Sequence, residues 1–152
     1  MLWNRKDKKD KKDTKDKKPP ILSIILHVED DPLVAMLFET TLSRVEAFKN
    51  VRVIPAATGR EALDILKSGK HFDMVVLDLH LPDMEGEMVL KELTLSRPET
   101  PVILMSGTRF APEYMEKVKE KTAVLGFIDK PFSPASLSKD LDRYWKAFLA
   151  KF

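Results

Sequence analysis

The sequence predicts an α/β fold in which a five-stranded parallel sheet is covered by helices on both faces. Three observations carry that prediction. After about residue 20, five short apolar runs alternate in order with five segments of helical periodicity. The apolar runs are continuous rather than alternating, the pattern of strands buried on both sides. Four of the five runs also deliver acids, a hydroxyl or a lysine at their carboxyl ends, the edge on which open α/β sheets carry their ligands.

The elements follow one another plainly. Ile21–Val28 is an unbroken apolar run of strand type. A helix is expected from Pro32 to about Lys49, with Val34, Leu37, Phe38, Leu42, Val45 and Phe48 along one stripe. Asp31 is its expected N-cap, ahead of a proline at the first helical position. Val51–Ala57 reads as the second strand. The segment "TGREALDILKSG" opens a helix with Thr58 as N-cap and Glu61 three residues on, the spacing of a capping box. Phe72–Leu77 is the third strand, and Gly86–Leu95 a short helix with Met88, Val89 and Leu93 inward. Val102–Met105 is the fourth strand, Pro112–Thr122 the fourth helix and Val124–Ile128 the fifth strand. Pro134–Lys151 closes the chain as a helix, with Leu137, Leu141, Trp145 and Phe148 at three- and four-residue spacing.

The 152 residues fit one domain with a sizeable core. There is no cysteine, which excludes a disulfide framework and any thiolate metal site. Charge is uneven. Residues 5–18, "RKDKKDKKDTKDKK", hold nine basic and four acidic residues, while residues 19–152 hold 17 and 20. Residues 1–20 are therefore expected to be a Lys/Asp-rich tail that is disordered or at most a frayed helix, and residues 21–152 the folded domain. A solubilising arm is the plain reading of the tail. An arm that contacts nucleic acid, anionic lipid or an acidic partner is the sharper one. The apolar run after the tail is too short for a signal sequence, lacks a small-residue cleavage site and ends in Glu29–Asp30–Asp31. No run approaches the roughly 20 residues of a membrane helix. A soluble, cytoplasmic protein without membrane insertion is expected.

The strand ends carry the chemistry. The first delivers Glu29, Asp30 and Asp31; the third, Asp78; the fourth, Ser106 and Gly107; the fifth, Asp129, Lys130 and Pro131. Carboxylates gathered on one edge repel unless a positive charge balances them. Lys130 is one such charge. A hard divalent cation is another, and Mg²⁺ favours a few carboxylates together with water and phosphate oxygens. Each feature alone is a common strand terminus; their succession, strand by strand, is not.

The segments "ILHVEDDP", "VVLDLHLPDMEG", "PVILMSG" and "GFIDKPF" resemble the four signatures of the response-regulator receiver domain, in a stand-alone form, across residues 21 to about 150. The resemblance implies a CheY-like, flavodoxin-like (βα)5 sheet of strand order 2-1-3-4-5. It implies that Asp78 is the phosphoacceptor and that Asp30 binds Mg²⁺ directly, with Glu29 acting more through water. The backbone carbonyl of His80 is implied as a further metal ligand. Ser106 stands where the family has its switch hydroxyl, Lys130 where its phosphoryl-binding lysine lies, and Phe127 where it carries a rotameric aromatic. The Lys130–Pro131 bond matches one that is usually cis. The implied partners are a sensor histidine kinase or a histidine phosphotransfer protein, and an output protein docking on residues 112–151. The implied role is that of a phosphorelay signalling protein that promotes its own phosphorylation and dephosphorylation, with no separate catalytic domain.

Three other readings rank behind. One is a phosphate shuttle in a multistep relay. A haloacid-dehalogenase-like phosphatase needs a second acid two residues after its nucleophile, where this chain has His80. A nucleic-acid-binding module would act through the tail. His27 reads as a satisfied core or strand-end histidine, His80 either as a rim residue that tunes phosphate lifetime or as a side chain that simply faces water, and Asp83, Glu85 and Asp129 as surface acids near the site.

Overall fold

A computed structural model describes residues 18–152. The expectation of a disordered tail falls almost wholly on residues 1–17, outside the described part. Strands β1 (Ile24–Val28), β2 (Arg52–Ala56), β3 (Met74–Asp78), β4 (Val102–Ser106) and β5 (Val124–Asp129) alternate with helices α1 (Pro32–Leu42), α2 (Gly59–Lys67), α3 (Gly86–Ser96), α4 (Pro112–Lys121) and α5 (Pro134–Leu149). The strands form one parallel sheet in the order β2-β1-β3-β4-β5. From β1 the chain steps outward to β2 and then returns past β1 to β3. The carboxyl ends of β1 and β3 therefore flank the switch point, where such sheets open a crevice.

All five residues of β3 and of β4 are buried, as continuous apolar runs in a doubly covered sheet should be. One core layer joins the sheet to α1 and α5, through Phe38, Leu42, Ile103, Leu137 and Trp145. The other joins it to α2 and α3, through Ala62, Leu66, Leu77, Val89 and Leu93. Full burial of one such aliphatic side chain contributes roughly 1.5–3 kcal/mol. The sheet and the site at its edge are thus fixed from two sides. Among the described residues, no helix is long and apolar enough to cross a membrane.

The helix starts follow their sequence signals. The Asp31 carboxylate accepts from the Leu33 and Val34 amides, and Thr58 Oγ1 accepts from the Glu61 amide. The Glu61 carboxylate reaches past the cap to the Ala57 N–H, 2.9 Å away. Ser133 and Ser136 form a reciprocal capping box at the start of α5.

Three expectations are corrected. The first strand begins at Ile24, not Ile21. Ile21 is 80% exposed, and the Ser23 and Ile24 amides are taken by the Asp73 carboxylate. The first helix stops at Leu42. Phe48, fully buried, is reached through a separate 3₁₀ turn over Glu46–Phe48. Met88 faces outward on α3, and Leu90 takes the inward position.

Candidate functional site

Strand register brings the polar residues together. Val28 pairs with Leu77, Asp78 with Met105, and Ser106 with Asp129, so four strands end at one level. Glu29 is fastened to the neighbouring strand by its amide, which donates to the Ala56 carbonyl at 2.9 Å. The Lys130 amide donates to the Ser106 carbonyl at 2.8 Å, and the Lys130–Pro131 peptide is cis. Main-chain bonds thus hold the site residues, where loop residues would wander.

Two of the carboxylates are buried. Asp78 is 1% exposed and Glu29 5%, while Asp30 is exposed. Lys130 Nζ lies 2.7 Å from Asp78 Oδ2 and 2.8 Å from Glu29 Oε1, one cation shared by two acids. The second oxygen of each accepts a backbone amide: Asp78 Oδ1 from His80 at 2.9 Å, and Glu29 Oε2 from Asp31 at 3.3 Å. Burial pushes Glu29 up to about 7, with the Asp78 charge adding to it and the lysine opposing. The same two carboxylates hold the Lys130 ammonium above its ordinary range, against its own desolvation. Glu29, Asp30 and Asp78 each present an oxygen, all within 4.8 Å of one another.

A hydroxyl cluster stands across from the acids. Ser106 Oγ accepts the Thr108 N–H at 3.1 Å and lies 3.0 Å from Thr108 Oγ1. His80 Nε2 lies 3.2 Å from Ser106 Oγ and 3.3 Å from Thr108 Oγ1. Thr108 is a site residue that the sequence reading missed, since a threonine in a loop carries no signal of its own. The His80 side chain is exposed, and its imidazole reaches these two hydroxyls instead of facing water alone.

Phe127 is half-buried. Its ring packs 4.9 Å from that of Phe110, under the ammonium of Lys119. Its backbone is held from α5. The Tyr144 hydroxyl donates to the Phe127 carbonyl at 2.8 Å and accepts the Phe127 N–H at 3.3 Å. The tyrosine ring lies over Gly126, where any Cβ would strike it. Tyr144, too, was not anticipated.

The remaining candidates are placed as follows. Asp83 is not an idle surface acid: it accepts from the Gly59 and Arg60 amides at 2.8 and 2.9 Å, which clamps the loop after β3 onto the start of α2 and holds its carboxyl below the usual range. Glu85 and Asp129 are exposed. His27 is 3% exposed and stacks on Phe38 at 4.1 Å, but its Nε2 has no partner, so it is not the satisfied core histidine expected. Burial, helped by the nearby Lys130 charge, pushes it down to about 3.

A profile of the response regulator receiver domain matches residues 25–142. The cell cycle response regulator CtrA of Brucella abortus strain 2308 is 35% identical over 113 residues, 71% of this chain and 44% of that protein. The chain thus spans less than half the length of the curated relatives it matches. Among solved structures, the chemotaxis response regulator CheY4 of Vibrio cholerae superposes with a TM-score of 0.66 at 27% identity, over 81% of this chain and 98% of that one. The HemR receiver domain of Leptospira biflexa gives 0.68 at 28%, over 81% and 94%. With a profile that matches residues 25–142, and neighbours that superpose over 81% of the chain, the chain belongs to the response regulator receiver domain family.

Proposed function

We propose that Asp78 accepts a phosphoryl group from a phosphohistidine on a sensor histidine kinase or a histidine phosphotransfer protein. The observation that carries this reading is the Lys130 ammonium shared between Asp78 and Glu29. A nucleophilic carboxylate facing an anionic phosphoryl group needs positive charge fixed beside it before the reaction, and little else from the protein. An Asp78 oxygen attacks phosphorus in line. The new O–P bond forms as the donor's N–P bond breaks, and the imidazole nitrogen leaves with the electron pair. Lys130 neutralises the phosphoryl oxygens. The His80 amide keeps the carboxylate in one orientation, and the Ser106 hydroxyl binds a further oxygen.

The donor set fits a hard divalent cation, because Glu29, Asp30 and Asp78 offer only oxygen and include two buried acids served by a single lysine. Asp30, Asp78 and the His80 carbonyl would hold Mg²⁺, with Glu29 acting through water. The ion's chemical contribution is charge neutralisation on the phosphoryl oxygens. Asp30→Ala should weaken Mg²⁺ binding more than Asp31→Ala, since the Asp31 carboxylate is spent on the α1 cap.

Output is proposed to run through protein contact on residues 112–151. The phosphoryl oxygens draw the Ser106 hydroxyl inward, and Phe127 follows. The deciding experiment is labelling with acetyl phosphate and Mg²⁺. The wild type should take up one phosphoryl group and Asp78→Asn none. Labelling of the variant at the wild-type level would overturn the assignment.

A further inference from the structure

Helices α3 and α4 run side by side with an open groove of about 550 Å³ between them. One wall is the α4 stripe of Tyr114, Val118 and Lys121. The other carries Leu90, Lys91 and Leu95 of α3. The floor is apolar: Leu90 is buried, Val118 and Tyr114 are half-buried, and Leu95, 71% exposed, stands as an unpartnered knob at one end. Lys91, Lys117 and Lys121 rim the groove, and none of the three is ion-paired among the described residues. The single acid there, Glu87, is turned to the Tyr114 hydroxyl at 3.5 Å. Met115 and Lys119 lie on the other side of α4, toward Phe127, so this groove is separate from the surface of β5 and α5.

We propose that the α3–α4 groove docks an acidic amphipathic helix of a partner protein. Both walls are helices whose main-chain groups are satisfied internally, so an occupant finds no strand edge and must satisfy its own backbone, which a helix does. Helices of 10 and 11 residues make a trough about 15 Å long, room for roughly three turns of a partner. Three free lysines above an apolar floor complement a leucine stripe flanked by glutamates. The same charge argues against two other occupants. Residues 5–18 carry nine basic against four acidic residues and would be repelled, and a second copy of the groove would set lysines against lysines.

The test uses the full-length protein and two synthetic 14-residue helical peptides. Both carry leucines at i, i+4, i+7 and i+11. One flanks them with glutamate, the other with lysine. Titrations are followed by ¹⁵N NMR. The glutamate peptide should shift the α3 and α4 residues that line the groove, and its affinity should fall several-fold when salt is raised from about 50 to 300 mM. Lys117→Glu/Lys121→Glu, both changes at exposed positions, should weaken it roughly tenfold and favour the lysine peptide instead. Leu95→Ala should weaken both peptides alike. Equal binding of the two peptides by the wild type would overturn the proposal. So would shifts confined to β5 and α5, or displacement shifts from residues 1–17, which would make the tail the occupant. None of these readouts depends on Asp78 phosphorylation.

Discussion

Gly86 opens α3, and its amide donates to the Leu79 carbonyl at 2.9 Å. A Cβ at this position would fall 2.5 Å from the Leu79 Cα and 2.6 Å from the Asp78 carbonyl oxygen. Both are main-chain atoms, so no side chain can rotate out of the way. Clearing the Asp78 oxygen to an ordinary 3.4 Å contact requires about 0.8 Å of movement. β3 is paired on both sides and resists it, and the Leu79 amide is bound to the Met105 carbonyl at 3.0 Å. Overpacking of this kind costs about 1–3 kcal/mol. The entropy that alanine removes from the unfolded chain returns roughly 0.4–1 kcal/mol. Gly86→Ala should therefore destabilise by roughly 1.3 kcal/mol in urea unfolding, the midpoint of the first general range less that of the second. If helix and strand share the movement, Asp78 shifts by about 0.4 Å. Since a misplacement of about 1 Å can cost 10²-fold, the rate of labelling by acetyl phosphate should fall on the order of tenfold. Gly107→Ala is the control, because a Cβ there meets nothing within 4 Å. Wild-type labelling and stability in Gly86→Ala, or equal stability losses in both variants, would refute the reasoning.

Other expectations follow from the same site. Lys130→Met leaves Glu29 and Asp78 buried without their cation, and should cost on the order of 3 kcal/mol at pH 8 in EDTA. Glu29, raised from 4.5 to about 7 by burial, lets the folded protein keep a proton that the unfolded chain gives up across that window, so stability falls as pH rises through it. The Lys130→Met loss should accordingly be smaller at pH 5.5, and urea midpoints showing equal losses at the two pH values would contradict this. His27 titrates the other way: near 3 when folded and 6.5 when unfolded, it costs stability as pH falls below 6.5. His27→Leu also removes the unpaired Nε2, and should stabilise by about 1 kcal/mol at pH 7 and by more at pH 5.5. A variant less stable than wild type at pH 5.5 would count against it. Thr108→Val removes one group holding Ser106 in its resting position. The acetyl phosphate concentration for half-maximal labelling should fall about two- to fivefold, the equivalent of roughly 0.5–1 kcal/mol. An unchanged or higher midpoint would assign Thr108 no such hold.

What the sequence made legible was set by range. β3 and β4 are buried on both faces, so their burial is written in consecutive apolar residues, and the residue after such a run, Asp78 or Ser106, is visible as a strand end. The start of β1 was misjudged because Asp73, about 50 positions away, takes the Ser23 and Ile24 amides, and no local pattern announces it. The stripe through Val45 and Phe48 correctly indicated burial but not backbone. A three-residue spacing fits a 3₁₀ turn as well as a helix, and the chain uses one after Leu42. In the site, Glu29, Asp78 and Lys130 converge as the strand order demands. The contacts of Thr108 with His80, of Asp83 with Gly59 and of Tyr144 with Phe127 join separate loops, helices and β5 across 17 to 28 positions, and only the fold reveals them.

Tyr144 has a consequence for how the sheet meets other chains. β5 is an outer strand, and its outward-facing main-chain groups offer a template on which a foreign strand could add. At Phe127 both the N–H and the carbonyl are already occupied by one phenol oxygen, which acts as donor and acceptor in place of an invading backbone. Gly126 lets the ring lie flat enough to do this. At the opposite border, β2 carries Pro55, which has no N–H to offer. Extension of the sheet past β5 therefore requires α5 to surrender Tyr144 first.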